Sequence, residues 1–150
     1  STGLNPLHVA VKNRHPDVVL VLLQCGADVQ YRCNGKTPLL RAAWGGRYIH
    51  DAPRGQLAIA HLLLQHGADV SAFGVRGDTP LHYAVTDGNH SMVVLLLKNG
   101  ADINGRNRHG STPLHIGVLE TKASICQLLI ENGADKHATN DEGISPMYMA

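Results

Sequence analysis

The stretch GDTPLHYAVTDGNHSMVVLLLKNGAD, residues 77–102, contains a complete structural sentence. Thr79 is placed to cap a helix N-terminus by accepting bonds from free N–H groups. Pro80 suits the first helical position, where its missing N–H costs nothing. Ala84 and Val85 are small enough for a second helix to approach closely. Leu96 and Leu97 close the apolar stripe of that second helix. Gly100 follows at once and can take the left-handed conformation that ends a helix.

The same sentence recurs along the chain. Gly-Ala-Asp begins at Gly26, Gly67, Gly100 and Gly133, with gaps of 41, 33 and 33. Pro-Leu or Pro-Met begins at Pro6, Pro38, Pro80, Pro113 and Pro146, with gaps of 32, 42, 33 and 33. Two independent markers share one period and one long outlier, the signature of a repeat architecture. The Thr79-Pro80-Leu81-His82 motif returns as Thr112-Pro113-Leu114-His115. Asn5-Pro6-Leu7-His8 and Thr37-Pro38-Leu39-Leu40 are its variants. Polar segments with a further glycine (Gly35, Gly77, Gly110, Gly143) lie between the units and read as hairpin-like turns.

The period and the Gly-x-Thr-Pro-Leu-His…Leu-Leu…Gly-Ala-Asp pattern resemble the ankyrin repeat over essentially the whole chain. The resemblance implies an all-α repeat solenoid: stacked helix-turn-helix units with projecting β-hairpins. No such unit buries its apolar face alone, so each depends on its neighbours. The register predicts units at about 1–32, 33–73, 74–106 and 107–139, with a partial fifth at 140–150. Both ends fall inside a unit, and Met147, Tyr148 and Met149 would leave an apolar face uncovered. The expectation is a monomeric segment of a longer chain.

Composition agrees and excludes alternatives. Of 150 residues, 43% are hydrophobic but only 4% aromatic, so the core is aliphatic. Lys and Arg total 13 against 12 Asp and Glu, a net charge of +1. That is not the profile of a disordered tail, and it gives no reason to expect nucleic acid as a partner. No stretch has the roughly 18 apolar residues of a membrane span. Three cysteines are too few for a disulfide framework, and the start lacks a signal peptide, so an intracellular location (cytoplasm or nucleus) is expected.

The second unit carries an insert at 46–54, between helices expected at Thr37 to Trp44 and Gln56 to His66. Pro53 argues against a longer helix there. Insertions in repeat proteins map to loops on one face, often the binding face. Tyr48 and Ile49 at its centre favour a functional insert over a purely tolerated one.

The candidate chemistry dissolves on inspection. His8, His82 and His115 hold the same place in their units, as a structural histidine would and a catalytic one would not. Asp28, Asp69, Asp102 and Asp135 repeat likewise and read as turn-bracing acceptors. His61 and His66 fall on different helix faces, and His15, His50, His90, His109 and His137 fall in turns. No HExxH or paired CxxC is present, so neither catalytic residues, metal nor cofactor are expected. Cys126 reads as a core residue, and Cys33 as an exposed turn residue. His50 and Asp51, in the insert, are a weak pair for base catalysis.

Surface positions remain. The resemblance places hairpin tips and first-helix ends along a concave groove. Trp44 and Phe73, the single Trp and single Phe, fall there outside the repeated pattern, and aromatic residues and Arg are enriched at binding hot spots. Segments 30–36 and 104–111 each carry +2, and 137–144 carries −2. The expected function is therefore a non-catalytic module binding another protein, through a segment with acidic and apolar residues. Trp44, Tyr48, Ile49 and Phe73 would anchor the apolar part. Arg32, Lys36, Arg76, Arg106 and Arg108 would meet the acidic part. The alternative is a scaffold segment of a larger multidomain enzyme or regulator. The resemblance also makes Asn104 a candidate for asparaginyl hydroxylation.

Overall fold

The computed structural model describes residues 5–45 and 54–150. Its helices run in chain order: α1 (Pro6–Lys12), α2 (Pro16–Gln24), α3 (Pro38–Ala43), α4 (Arg54–Gln65), α5 (Pro80–Asp87), α6 (His90–Lys98), α7 (Pro113–Leu119), α8 (Ala123–Glu131) and α9 (Pro146–Met149). Each of α1, α3, α5 and α7 packs on the helix that follows it. One row stacks α1, α3, α5, α7 and α9, and a second stacks α2, α4 and α6. The expected all-α repeat solenoid is what forms.

These helices are mostly shorter than the roughly 12 residues an isolated helix needs to persist in water. Their ends are therefore fixed by caps and their faces by stacking. Asn5 Oδ1 accepts from His8 N at 2.9 Å and Thr37 Oγ1 from Leu40 N at 3.2 Å. The helix-ending glycines behave as the sequence predicts, with φ of +84°, +85°, +85° and +92° at Gly26, Gly67, Gly100 and Gly133. The core is aliphatic throughout. Leu39, Leu63, Leu81, Leu96, Leu114 and Leu129 are buried, each contributing about 1.5–3 kcal/mol on transfer from water.

The repeated histidines tie successive stretches together. His82 Nδ1 accepts from Thr79 N at 3.2 Å, and Nε2 donates to the Ser111 carbonyl at 3.0 Å. His115 does the same with Thr112 N and the Ile144 carbonyl, at 3.1 and 3.0 Å. His8 Nε2 lies 3.0 Å from the Lys36 carbonyl. The repeated aspartates brace their turns: Asp28, Asp69, Asp102 and Asp135 accept from the amides of Gln30, Ser71, Asn104 and His137.

The hairpins are turns rather than strand ladders among the described residues. Cys33 and Lys36 form one antiparallel bridge across Asn34 and Gly35, both at positive φ. That two-residue Asn-Gly connection matches the mirror-image turn favoured in tight hairpins. It is one residue shorter than the turns closed by Gly74 N to Asp78 O, Asn107 N to Ser111 O and Asn140 N to Ile144 O. Neighbouring tips are joined by Arg108 N to Arg76 O and Asp141 N to His109 O, both 3.1 Å.

Four sequence expectations need correction. Cys33 is buried, because the bridge to Lys36 turns its side chain inward. His90 opens α6 rather than lying in a turn. The helix after the insert starts at Arg54, inside the expected 46–54 loop. Gly55 permits this: a Cβ there would stand 2.9 Å from the Arg14 carbonyl, so its absence lets the first turn of α4 press on the α1–α2 turn. The helix before the insert closes at Ala43, and Trp44 is its extended C-cap. Tyr48 and Ile49 lie outside the described residues.

Candidate functional site

The candidate side chains gather in two places. The first is built on α3 and the hairpin before it. The Cys33–Lys36 bridge sets the direction of Lys36, and the end of α3 sets Trp44. Lys36 Nζ stands 3.4 Å from the Trp44 ring centroid and 5.2 Å from that of Tyr83, on α5. Such an ammonium over two π-faces is held by the ring quadrupoles. Trp44 remains 40% exposed, and Lys36 and Tyr83 are half-buried. Burial holds the Lys36 ammonium below its ordinary value, and the charges of Arg41 and Arg76 add to that. Burial pushes the Tyr83 phenol up, with Asp78 acting in the same direction.

The second place is the row of tips. Arg32 donates to the Phe73 carbonyl at 2.7 Å, and its guanidinium carbon lies 5.4 Å from the Phe73 ring centroid. Phe73 is 53% exposed. With Arg106 and Arg108 it lines a depression of about 390 Å³, floored by Val70, Thr79 and Asn107. The expected basic stripe is partly spent within the chain. Arg76 Nε pairs with Asp78 at 3.2 Å, and Arg106 Nη2 pairs with Asp141 at 3.1 Å. Asp78 is buried, and Asn107 Nδ2 also donates to it at 2.8 Å. Arg108 keeps its side chain exposed while its amide joins the neighbouring tip.

Asn104 is exposed, and its Oδ1 accepts from the Asp135 amide at 2.8 Å. It thus links two adjacent Gly-Ala-Asp turns. Sequence reasoning missed Tyr83 and Arg41. Both occupy the position after the His or Leu of the opening motif, at His82-Tyr83 and Leu40-Arg41, so the alignment of units held the signal. Among the described residues, no group of three His, Cys, Asp or Glu is arranged to hold a metal ion. No described helix is long and apolar enough to cross a membrane.

A family model described as ankyrin repeats (3 copies) matches residues 1–73 and 49–140. Ankyrin repeat and SOCS box protein 16 of Mus musculus is 39% identical over 85 residues, 57% of this chain and 19% of that protein. The B-cell lymphoma 3 protein homolog of Mus musculus is 38% identical over 84 residues, 55% of this chain and 17% of its own length. Transient receptor potential cation channel subfamily V member 1 of Oryctolagus cuniculus is 36% identical over 92 residues, 55% of this chain and 11% of the channel subunit. The match thus spans less than a fifth of each of these relatives.

Proposed function

Because this chain belongs to the ankyrin repeat family, whose repeats generally serve as protein–protein interaction modules, we propose that it is a non-catalytic module that grips a segment of another protein. The partner segment lies along the groove formed by the hairpin tips and first helices of units 1–32, 33–73, 74–106 and 107–139. The observation that carries this reading is the exposed Trp44 platform. A large aromatic stands outside the repeated core pattern, half in solvent, with Lys36 held on its face. Phe73 supplies a second apolar contact, with Arg106 and Arg108 at the same depression. Tyr48 and Ile49 of the insert extend the apolar anchorage. The setting is intracellular. The short match to long relatives favours a second reading at the level of the whole protein: the module recruits partners for a larger enzyme or regulator.

Selection of phage-displayed random peptides on the chain tests the groove. Trp44→Ala should weaken the selected peptides by about 2 kcal/mol, roughly 30-fold, with helical circular dichroism unchanged. Equal affinity for wild type and Trp44→Ala rejects the proposed anchor.

A further inference from the structure

Arg41 lies in the middle of α3, between the buried Leu40 and Ala42. Its Nε is buried and has no hydrogen-bond partner among the described residues. Its charge reaches both Lys36 and His8. The ion pairs among the described residues are Arg76–Asp78 and Arg106–Asp141, so neither Arg41 nor Lys36 has a carboxylate. Lys36 stands over the Trp44 and Tyr83 rings, Arg41 lies one turn before Trp44 on α3, and neither cation has a counter-ion among the described residues. Burying a donor unpaired is costly, and a fold under pressure for stability alone would replace it.

We infer that Arg41 and Lys36 form a carboxylate-binding site beside Trp44 and Tyr83, which takes an aspartate or glutamate side chain of the bound partner segment. The guanidinium supplies the directional fork and the ammonium a second charge. A neighbouring apolar residue of the partner lies on the free part of the Trp44 ring. The site rests on the groove reading above and gives it a chemical specificity: an acidic residue next to an apolar one. It asks for a single-charged anion, since one of its two cations is already held on ring faces.

The test uses the peptides selected on the intact chain, labelled with fluorescein, and measures affinity across salt. The expected outcome is a shared acidic position next to an apolar one. Arg41→Met and Lys36→Met each weaken binding about tenfold or more and flatten the salt dependence. Arg41→Met keeps or raises the thermal midpoint, because it removes the unpaired donor. Arg41→Glu regains affinity for a peptide whose acid is changed to lysine. Peptides without a shared acid, or binding indifferent to both variants, overturn the site while a loss with Trp44→Ala leaves the groove standing. Binding at least tenfold tighter when phosphoserine replaces the acid also overturns it, in favour of a phosphorylated partner. If Trp44→Ala has no effect, groove and site fall together.

Discussion

Arg32 and Phe73, 41 residues apart in the chain, hold each other: one guanidinium both donates to the Phe73 carbonyl and lies against its ring. Both were expected to meet a partner, and within the chain they also clamp two consecutive tips. Arg32→Ala should cost about 1 kcal/mol in urea unfolding, and Phe73→Leu, which keeps the backbone bond, about half that. An Arg32→Ala midpoint equal to wild type would show that the clamp is open in solution.

The histidine links predict a pH dependence. Burial holds the imidazoles of His82 and His8 below the ordinary histidine value of 6.5, so the unfolded chain takes up these protons first. Stability is then full above about pH 6.5 and declines as pH falls toward the lower folded values. Urea midpoints at pH 7.5 and pH 5 should show that loss. His82→Leu, the residue type found at the equivalent buried Leu40, should flatten part of it. The same variant leaves the Ser111 carbonyl without its bond and should cost about 1–2 kcal/mol at pH 7.5.

Two glycines at nearly equal φ should respond differently to alanine. Gly77 has φ +78°, and a Cβ there would meet Arg108 N at 2.8 Å, the amide that joins the two tips. Gly100 has φ +85° with nothing within 4 Å of its Cβ position. Gly100→Ala should cost about 1 kcal/mol for the left-handed backbone alone. Gly77→Ala should cost more, about 2–3 kcal/mol, and speed hydrogen exchange at the Arg108 amide. Equal costs would mean that the tips separate freely.

The two ion pairs should differ as sharply. Asp78 is 5% exposed and receives both Arg76 and Asn107. Asp78→Ala leaves Asn107 without its acceptor and should cost about 2 kcal/mol. In the Arg106–Asp141 pair both side chains are more than half exposed, at 51% and 60%. Asp141→Ala should cost no more than about 0.5 kcal/mol, and less in high salt. A reversed order in chemical denaturation contradicts this ranking.

Much of the fold was legible because the repeat writes it several times. Thr-Pro openings, histidines at a fixed offset and Gly-Ala-Asp endings act within a turn or two of chain, so periodicity exposes them. Trp44 and Phe73 were legible as exceptions to that pattern. The Arg54 start of α4 was not, because it depends on the close approach of Gly55 to Arg14, a contact between distant segments. Nor was the burial of Cys33, which hangs on one bridge to Lys36.

The amino-acid sequence by itself determined the helices, their caps and the order in which they stack, since capping, left-handed glycines and apolar spacing are local chemistry repeated in register. Only the tertiary structure decided which charges are free. Arg76 and Arg106 are paired with Asp78 and Asp141, Arg32 is turned onto Phe73, Lys36 is set on Trp44 and Tyr83, and Arg41 is left without an acid among the described residues. Coulomb and cation–π forces act over a few ångströms of space rather than along the chain, so their pairings exist only once stacking has brought the tips together.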